Sequence, residues 1–438
     1  MLRLNVEELK QQVQACDAFR IAGKLRSARG VLRARIPATV GELCHIEVSA
    51  HERMLAEVIG FSEDDALLMP YGQVDGLRPR MTVVALGRTL RVPVGNAVIG
   101  RVLNALGTPI DMRGRLSTVR FRRLISGSPA PMNRGEIVTP FETGQRSIDG
   151  LLTMGCGQRV GLFAGSGVGK STLLGEIAKH ASSDINVVAL VGERGRELRP
   201  FLEESLGAEG LRRSVVVVAT SDEPPLMRLR AAQTAVTIAN EFREEGRNVL
   251  LMLDSLTRLA HAQREIGLML GEPPTARGYT PSVFQNMANL LEQLGQDRNG
   301  SISAIVTVLV DGDDTEEPVS DAARSILDGH IVLDRRLAQA GHYPAIDISQ
   351  SVSRLFTSVN DEAHVAAGTK VRAIIKTLAE MEDLIRLGLY TKGASQQVDT
   401  ALSLQPAINT LLQQSPNEVC SYDETRKALL HIGEAWPW

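Results

Sequence analysis

A glycine-rich run between an apolar stretch and an apparent helix restricts the possible folds more than any other part of the sequence. The run is GLFAGSGVGKSTLLGEIAKH, and its apolar stretch ends at Ala164. Gly165, Gly167 and Gly169 allow a tight backbone turn whose N–H groups face an anion, with a helix N-terminus behind them. The full GxxxxGK[ST] pattern would have glycine in place of Ala164. The run predicts a phosphate-binding P-loop, and the alternative is a glycine-rich turn with an incidental GKS.

The P-loop pattern assigns chemistry to the residues at its end. Lys170 would reach the β- and γ-phosphates of a nucleotide, and Ser171 would offer its hydroxyl to Mg2+. The predicted cofactors are therefore ATP and Mg2+. The other members of the candidate nucleotide-binding set in this run are Ser166, Val168 and Thr172.

Two carboxylates follow apolar runs that are typical of buried strands. Asp254 ends NVLLMLD and would hold Mg2+ directly or through water; taken alone, it fits the N-cap of a helix beginning near Ser255 equally well. Glu193 follows NVVALVG, where it could orient a water in line with the γ-phosphate. Spacing alone favours a solvated glutamate beside Arg194 and Arg196.

Short apolar runs alternate with longer helix-like stretches between about residues 158 and 335. Uninterrupted apolar strands separated by helices predict a parallel sheet covered on both faces, and hence an α/β domain. The predicted strands are RVGLFA, NVVALV, SVVVVAT, NVLLMLD and ISAIVTVLV. The predicted helices span 170–181, 223–245 and 282–297.

The two ends of the chain have different patterns. Residues 2–19 predict an amphipathic helix, which either packs on its own body or docks a partner. From about 20 to 93, β-prone runs punctuated by glycines predict a small antiparallel sheet or barrel. After about residue 357 the apolar spacing predicts a small helical domain.

Charge and composition argue against nucleic-acid and membrane-spanning classes. Lys and Arg number 48 against 51 Asp and Glu, a net charge of -3, and aromatic residues are only 4%, which leaves few rings for base stacking. The four cysteines have no CxxC spacing, which disfavours a zinc site or disulfide framework and fits a reducing cytosol. With no signal-peptide pattern, we expect a cytoplasmic protein that associates with membranes only through partners.

With these elements placed, the sequence resembles the rotary-type RecA-fold ATPases, and within them the export ATPases of flagella and type III secretion. The resemblance implies a homohexameric ring of three-domain subunits. The predicted domains are a partner-docking helix over 1–22, a β-barrel over 23–93, a RecA-like ATPase domain over 94–356 and a helical domain over 357–438. The blocks that carry the resemblance are GSGVGKS, VGERGREL, LLMLDSLTRLAHAQREIGLMLGEPPTARGYTPSVF, GSISAIVTVLVDGDD, ARSILDGHIVLDR and GHYPAIDISQSVSR.

The resemblance also implies roles for individual residues. Glu193 matches the family's catalytic carboxylate, and Arg194 beside it would lie near the γ-phosphate. Arg354, in SVSR, resembles the arginine finger that reaches the neighbouring subunit's nucleotide; the alternative is a structural arginine at the sheet edge. Tyr343, in HYPAID, resembles the ring that stacks on adenine, with core packing as the alternative. Gln293, in LLEQLG, replaces the arginine of the family's usual LLERAG, which puts an intersubunit salt bridge there in doubt.

The implied function is an Mg-dependent ATPase motor that unloads cargo from chaperones at the export gate, at the cytoplasmic face of the membrane. Its implied partners are a peripheral regulator held by the N-terminal helix, a central stalk protein, the export gate and chaperone–cargo complexes. The forms RLRAA and RGYTPSVF favour the flagellar branch over the injectisome.

Three alternatives share parts of this pattern. A catalytic subunit of a proton-translocating rotary ATPase is disfavoured by the ERGREL and GEPPTARGY forms and the short C-terminus. A hexameric nucleic-acid motor is disfavoured by the low aromatic content and negative net charge. Glu193 argues against a non-catalytic nucleotide-binding subunit.

Overall fold

The computed structural model describes residues 20–28, 30–124, 127–310 and 317–438. They divide into two compact units, Met1–Arg91 and Val92–Trp438. The amphipathic helix predicted over residues 2–19 lies outside the described residues. Among the described helices, none is long and apolar enough to cross a lipid bilayer.

The first unit is a closed six-stranded barrel built from antiparallel neighbours. Side chains alternate between its interior and solvent: Leu32 and Ala34 are buried, whereas Arg33 and Arg35 are exposed. This period of two is the pattern expected of a strand with one wet face. The strands are β1 (Ala22–Ser27), β2 (Leu32–Arg35), β3 (Glu42–Glu47), β4 (Arg53–Ser62), β5 (Asp65–Pro70) and β6 (Thr82–Thr89). Their order around the barrel is β1-β2-β5-β4-β3-β6.

The second unit is organised around a nine-stranded sheet. Its strands, with the short pairs outside the sheet, are β7 (Arg91–Val94), β8 (Val102–Asn104), β9 (Arg120–Arg123), β10 (Pro140–Phe141), β11 (Met154–Gly155), β12 (Arg159–Ala164), β13 (Ile185–Glu193), β14 (Ser214–Thr220), β15 (Asn248–Asp254), β16 (Gly295–Gln296), β17 (Ser301–Leu309), β18 (Gly329–Leu333) and β19 (Ile346–Ser353). The sheet order is β19-β18-β12-β17-β15-β13-β14-β8, with β16 paired to β17.

Parallel pairing dominates this sheet because helices cover both faces and return the chain to the same edge. Among the described strands of this sheet, only β19 and β16 run antiparallel to their neighbours. The central strands are almost continuously buried, as in β15, where every residue after Asn248 is buried. This parallel core brings the carboxyl ends of β12, β17, β15 and β13 to one edge.

The helices surround the sheet and form the C-terminal part of the unit. They are α1 (Arg146–Leu151), α2 (Lys170–His180), α3 (Gly195–Pro200), α4 (Gly207–Arg212), α5 (Pro225–Glu244), α6 (Leu256–Met269), α7 (Pro281–Leu291), α8 (Pro318–Ile326), α9 (Arg335–Gln339), α10 (Phe356–Val359), α11 (Glu362–Arg386), α12 (Gln396–Leu412) and α13 (Tyr422–Glu434). A single π-helical turn, Phe201–Leu206, connects α3 to α4.

The last three helices pack against the core of the sheet and against each other. Val371, Ile374 and Leu429 are fully buried in the same apolar cluster as the central strands. His364 of α11 donates a hydrogen bond from Nε2 to the carbonyl oxygen of Gly150, at 2.9 Å. The helical C-terminal region therefore shares one core with the sheet domain.

The helix predicted over 282–297 is too long. It ends at Leu291, and Gly295 adopts a φ of 102°, which takes the backbone out of the helical region. Gly295 and Gln296 then pair with β17 as the antiparallel strand β16. The apolar spacing of this segment persists past the point where the glycine turns the chain. The other two predicted helices, over 170–181 and 223–245, correspond to α2 and α5.

Candidate active site

The P-loop lies between β12 and α2, in the strand–loop–helix arrangement that the sequence predicts. Gly167 and Gly169 have φ values of 78° and 85°, a conformation that favours glycine, and Gly169 is the N-cap of α2. Ser166, Gly167, Ser171 and Thr172 are exposed, Gly165 is half-buried, and Val168 is buried beneath the loop. The loop therefore presents its backbone and the N-terminus of α2 to an incoming anion.

Three charged side chains converge beside this loop. Asp254 ends β15 and Glu193 ends β13, at the carboxyl edge of the sheet. Lys170 Nζ lies 2.5 Å from Asp254 Oδ1 and 3.6 Å from Glu193 Oε1. Lys170 and Asp254 are 84 positions apart in sequence, and Glu193 shares the same ammonium group. The single cation offsets only part of the charge of the two carboxylates, and its place beside the loop is the one from which a P-loop lysine would reach the terminal phosphates of a nucleotide.

The surroundings of Asp254 exclude the N-cap interpretation of this residue. The N-cap of α6 is Ser255, whose Oγ accepts a hydrogen bond from the backbone N–H of Arg258. Asp254 is instead buried and accepts a second hydrogen bond from Thr307 Oγ1, at 2.6 Å. Its carboxylate therefore faces the P-loop lysine. Thr307 was missed by sequence reasoning, and its only signal was a hydroxyl inside the apolar run ISAIVTVLV.

Glu193 is aimed at the site by an irregularity in its strand. The register between β13 and β14 shifts between Val191 and Glu193, and Gly192 has a φ of 71°. The carboxylate lies 3.5 Å from Arg258 Nε as well as near Lys170. Glu193 is thus a partly buried group in a charged cluster, which differs from the solvated glutamate that spacing alone favours.

The electrostatics of Glu193 favour proton acceptance. Burial raises the pKa of Glu193 above its ordinary value, and the nearby Asp254 carboxylate adds to the increase, while Lys170 and Arg258 oppose it. A carboxylate with a raised pKa accepts a proton more readily than an ordinary one. The group is therefore suited to polarise a water near the terminal phosphate.

A pocket of about 370 Å³ adjoins the P-loop on the side away from Glu193's strand. Tyr343 forms one wall and is 44% exposed, which excludes the core-packing alternative for this ring. A Cβ added to Gly169 would lie 3.3 Å from Tyr343 Cε1, so the ring stands directly beside the loop. Residues 414–416 also line the pocket; they come from the segment between α12 and α13 and were not found by sequence reasoning.

The two arginines singled out by the sequence lie apart from this cluster. Arg194 is the N-cap of α3, and its exposed side chain donates to Glu197 Oε1 at 3.4 Å. Arg354 follows β19, and its exposed guanidinium donates to the carbonyl oxygen of Arg324 at 2.9 Å.

Gln293, which stands where the family usually has an arginine, is buried, and its side-chain amide donates to the carbonyl oxygen of Asn289 at 3.1 Å.

The position of Arg354 follows from the sheet register. Its backbone N–H donates to Asp328 O, and Asp328 N–H donates to the carbonyl oxygen of Arg159. Arg159 begins β12, whereas the P-loop follows Ala164 at the end of that strand. Arg354 therefore lies at the amino edge of the sheet, opposite to the P-loop of its own chain.

Comparison with known families agrees with this architecture along most of the chain. Residues 31–87 match the β-barrel domain of the ATP synthase alpha/beta family, residues 144–353 match its nucleotide-binding domain, and residues 360–431 match the T3SS EscN ATPase C-terminal domain. The chain is 47% identical to the flagellum-specific ATP synthase of Bacillus subtilis (strain 168), over 98% of this chain and 99% of the relative. The chain belongs to the family of flagellar and type III secretion ATPases.

Further relatives of this ATPase come from both branches of the family. It is 43% identical to the type 3 secretion system ATPase of Xanthomonas euvesicatoria, over 97% of each chain. The solved structure of the assembled ATPase EscN from enteropathogenic E. coli is 44% identical, with a TM-score of 0.88 over 94% of this chain and 100% of EscN. EscN in complex with its central stalk EscO gives a TM-score of 0.87 over the same shares. The predicted family, fold class and ATPase activity are confirmed.

Proposed function

We propose that this chain hydrolyses Mg–ATP as one subunit of a homohexameric ring and thereby energises flagellar or type III protein export, unloading cargo from chaperones at the export gate. The observation that carries the proposal is the convergence of Lys170, Glu193 and Asp254 beside an open P-loop. The names of the relatives assign them to flagella or to the type 3 secretion system, which supports the export role.

In the proposed site each residue has one task. The backbone of residues 165–169 and the N-terminus of α2 bind the phosphates, with Lys170 on the β- and γ-phosphates. Glu193 orients the attacking water and accepts its proton. Tyr343 stacks on adenine in the adjoining pocket, which is open enough to admit a base. Arg194, as the N-cap next to Glu193, would turn from Glu197 toward the γ-phosphate.

The chemistry of the available donors fits Mg2+. Within the described residues, no group of three His, Cys, Asp or Glu side chains suited to a metal ion is present. Mg2+ typically takes one or two protein oxygens and fills its shell with water and substrate phosphates. The Ser171 hydroxyl and the Asp254 carboxylate supply such oxygens. When bound, the ion would neutralise charge on the phosphates.

A ring is needed for Arg354 to act. Its place at the amino edge of the sheet puts the guanidinium beyond the reach of the P-loop in the same chain, but an exposed arginine there is available to a neighbouring subunit. In a head-to-tail ring each interface repeats, so every P-loop would face one such arginine. The assembled state of EscN supports this arrangement.

The partners we propose follow the same relatives. A central stalk protein would occupy the pore of the ring, as EscO accompanies EscN. A peripheral regulator would bind the N-terminal helix, and the export gate and chaperone–cargo complexes would be the other contacts. We place the protein in the cytoplasm, at the inner face of the membrane, held there through these partners. The flagellar branch is our preferred assignment, because the flagellar relative from Bacillus subtilis is the more similar of the two named above.

The test of the hydrolytic proposal is the ATPase rate of assembled wild type against Glu193→Gln. We expect the substitution to remove the proton acceptor and lower kcat by at least about 100-fold, while ATP still binds. Glu197→Gln, at an exposed glutamate four residues along, is the matched control and should retain activity. Because the pKa of Glu193 is raised, the wild-type rate should fall on acidification at a pH above the ordinary carboxyl range.

Two results would contradict the proposal. One is a Glu193→Gln rate close to that of wild type. The other is an assembled wild type that hydrolyses no ATP in the presence of Mg2+. The export role is tested separately, by expressing Glu193→Gln and Glu197→Gln in cells that lack the native gene: export should be restored by the second variant alone.

A further inference from the structure

A short segment closes the outer wall of the pocket beside the P-loop. It comprises residues 413–418, between α12 and α13, and will be called the wall segment. The backbone N–H of Gln414 donates to Tyr343 O at 2.9 Å, and its side-chain amide donates to Gly144 O at 2.8 Å. The wall segment thus lies between two C-terminal helices in the sequence, but in the structure it lines the pocket beside the P-loop.

A buried carboxylate ties the far end of the wall segment to the P-loop helix. Glu176 of α2 is only 6% exposed, and its Oε2 accepts a hydrogen bond from the backbone N–H of Asn417 at 2.7 Å. Its Oε1 accepts from Lys179 Nζ at 2.8 Å, and the same ammonium donates to Asn417 Oδ1 at 3.2 Å. Glu176, Lys179 and Asn417 form a closed triangle of contacts.

This arrangement is difficult to explain as helix packing alone. An apolar side chain would fill a buried position on α2 without desolvating a charge, and a buried carboxylate destabilises the fold unless its oxygens are paired. Here both oxygens accept hydrogen bonds, and both donors lead to Asn417, directly or through Lys179; His180 Nε2 also lies 3.6 Å from Oε2. Glu176 also lines the pocket itself, together with Ser415 and Pro416 of the wall segment.

We propose that Glu176 is a positioning residue that holds the wall segment against the base of the bound nucleotide, and so sets the affinity for the base half of ATP. This inference rests on the proposed placement of adenine at Tyr343. Binding of the phosphate groups of ATP should be independent of Glu176, because Lys170, at the start of α2, is positioned by its own contacts with Asp254 and Glu193. Loss of the tether therefore weakens ATP binding and leaves the chemical step intact.

The experiment measures KM and kcat for ATP in assembled wild type, Glu176→Met, Glu176→Gln, Tyr343→Ala and the double variant Glu176→Met/Tyr343→Ala. Glu176→Met keeps the side-chain length and removes both acceptors; we expect KM to rise about tenfold, with kcat unchanged, as for the loss of hydrogen bonds to a charged group. Glu176→Gln keeps an acceptor for Asn417 N–H and should show a smaller rise.

The double variant identifies the half of ATP through which Glu176 acts. If the wall segment acts on the base, Glu176→Met should raise KM much less once the stacking ring is gone, so the two effects are not additive. Fully additive effects would mean that Glu176 acts through the P-loop, and would overturn the inference. An unchanged KM in Glu176→Met would overturn it as well.

Two further variants guard against trivial causes. Asn417→Gly suits the residue's φ of 64° and removes only the acceptor for Lys179, so it should fold normally and raise KM slightly. Glu380→Gln, at an exposed glutamate paired with Lys376 on α11, should leave KM and kcat unchanged.

If Tyr343→Ala leaves KM unchanged, the base does not bind beside Tyr343, and the proposed nucleotide placement fails together with the inference. If only the Glu176 variants leave it unchanged, the placement stands.

Discussion

The reach of Arg354 gives the most demanding test of the ring. Its backbone is tied through Asp328 to Arg159, the first residue of β12, whereas the P-loop follows the last residue of that strand. Five residue steps at about 3.3 Å separate the two ends by roughly 17 Å. An arginine side chain has six bonds of about 1.5 Å beyond Cα and reaches less than about 9 Å. Arg354 cannot touch a nucleotide bound to its own P-loop.

The perturbation is Arg354→Ala, alone and mixed with Glu193→Gln. Each variant by itself should be almost inactive, since an arginine finger contributes about 1,000-fold or more to the rate and Glu193 supplies the proton acceptor. In a ring mixed at equal ratio, a site is complete when a subunit with intact Glu193 faces a neighbour with intact Arg354. That combination occurs at one half times one half, or about one quarter, of the sites.

The assay is the ATPase rate of rings assembled from the two variants carrying different affinity tags, isolated through both tags. We expect a rate of about one quarter of the wild-type rate, in proportion to the complete sites, although neither parent variant is active. A cis-acting Arg354 predicts no recovery, because no subunit in the mixture holds both residues. Doubly tagged rings without activity would therefore refute the argument from the sheet register.

The melting temperature of Arg354→Ala distinguishes the arginine-finger role of Arg354 from a structural role at the sheet edge. Its guanidinium donates to a carbonyl oxygen, that of Arg324, and is exposed, so its removal should lower the melting temperature little. A marked loss of melting temperature in Arg354→Ala, with no recovery in mixed rings, would instead identify an arginine that closes the sheet edge.

Three further predictions concern two residues beside the site, Thr307 and Gly192, and the buried carboxyl group of Asp149 in α1. Thr307→Val removes the hydroxyl that donates to Asp254 Oδ1, so the Mg2+ concentration for half-maximal ATPase activity should rise about tenfold; an unchanged requirement would contradict the proposed metal role of Asp254. Gly192→Ala puts a Cβ 3.0 Å from Arg258 Cβ at a φ of 71°, and should lower kcat by at least about tenfold as the carboxylate after it is displaced. Burial raises the pKa of Asp149 to about 7, so the stability that its protonated form contributes is complete below about pH 4 and is lost as the pH rises to about 7. Urea unfolding between pH 5 and 8 should show this decline in wild type, and the same slope in Asp149→Asn would disprove it.

Local patterns in the sequence were sufficient for the fold class and for the phosphate site. The phosphate site consists of a strand, a loop with glycines at positions of positive φ, and a helix N-terminus, all adjacent in the chain. The conformation of GSGVGKS therefore follows from local sequence. Short β-prone runs punctuated by glycines predicted the small antiparallel sheet or barrel, and continuous apolar runs predicted the buried parallel strands. The length of the helix over 282–297 was wrong because a single glycine, Gly295, overrides the periodicity that precedes it.

Residues whose roles depend on long-range contacts could be interpreted only with the tertiary structure. Thr307 lies 53 positions from Asp254, and Asn417 lies 241 positions from Glu176, so no local pattern relates them. Glu193 was ambiguous from spacing, since a bulge in its strand, and not its neighbours in sequence, aims the carboxylate at Lys170.

The sequence by itself determined which chemical groups this chain carries and the strand–loop–helix unit that binds phosphate, because those depend on contacts between near neighbours. Only the tertiary structure decided where the distant groups meet: the carboxyl edge gathers Lys170, Glu193 and Asp254, and the amino edge holds Arg354. The physical reason is that a parallel sheet orders its strands by packing and crossover, which place residues far apart in sequence at the same edge.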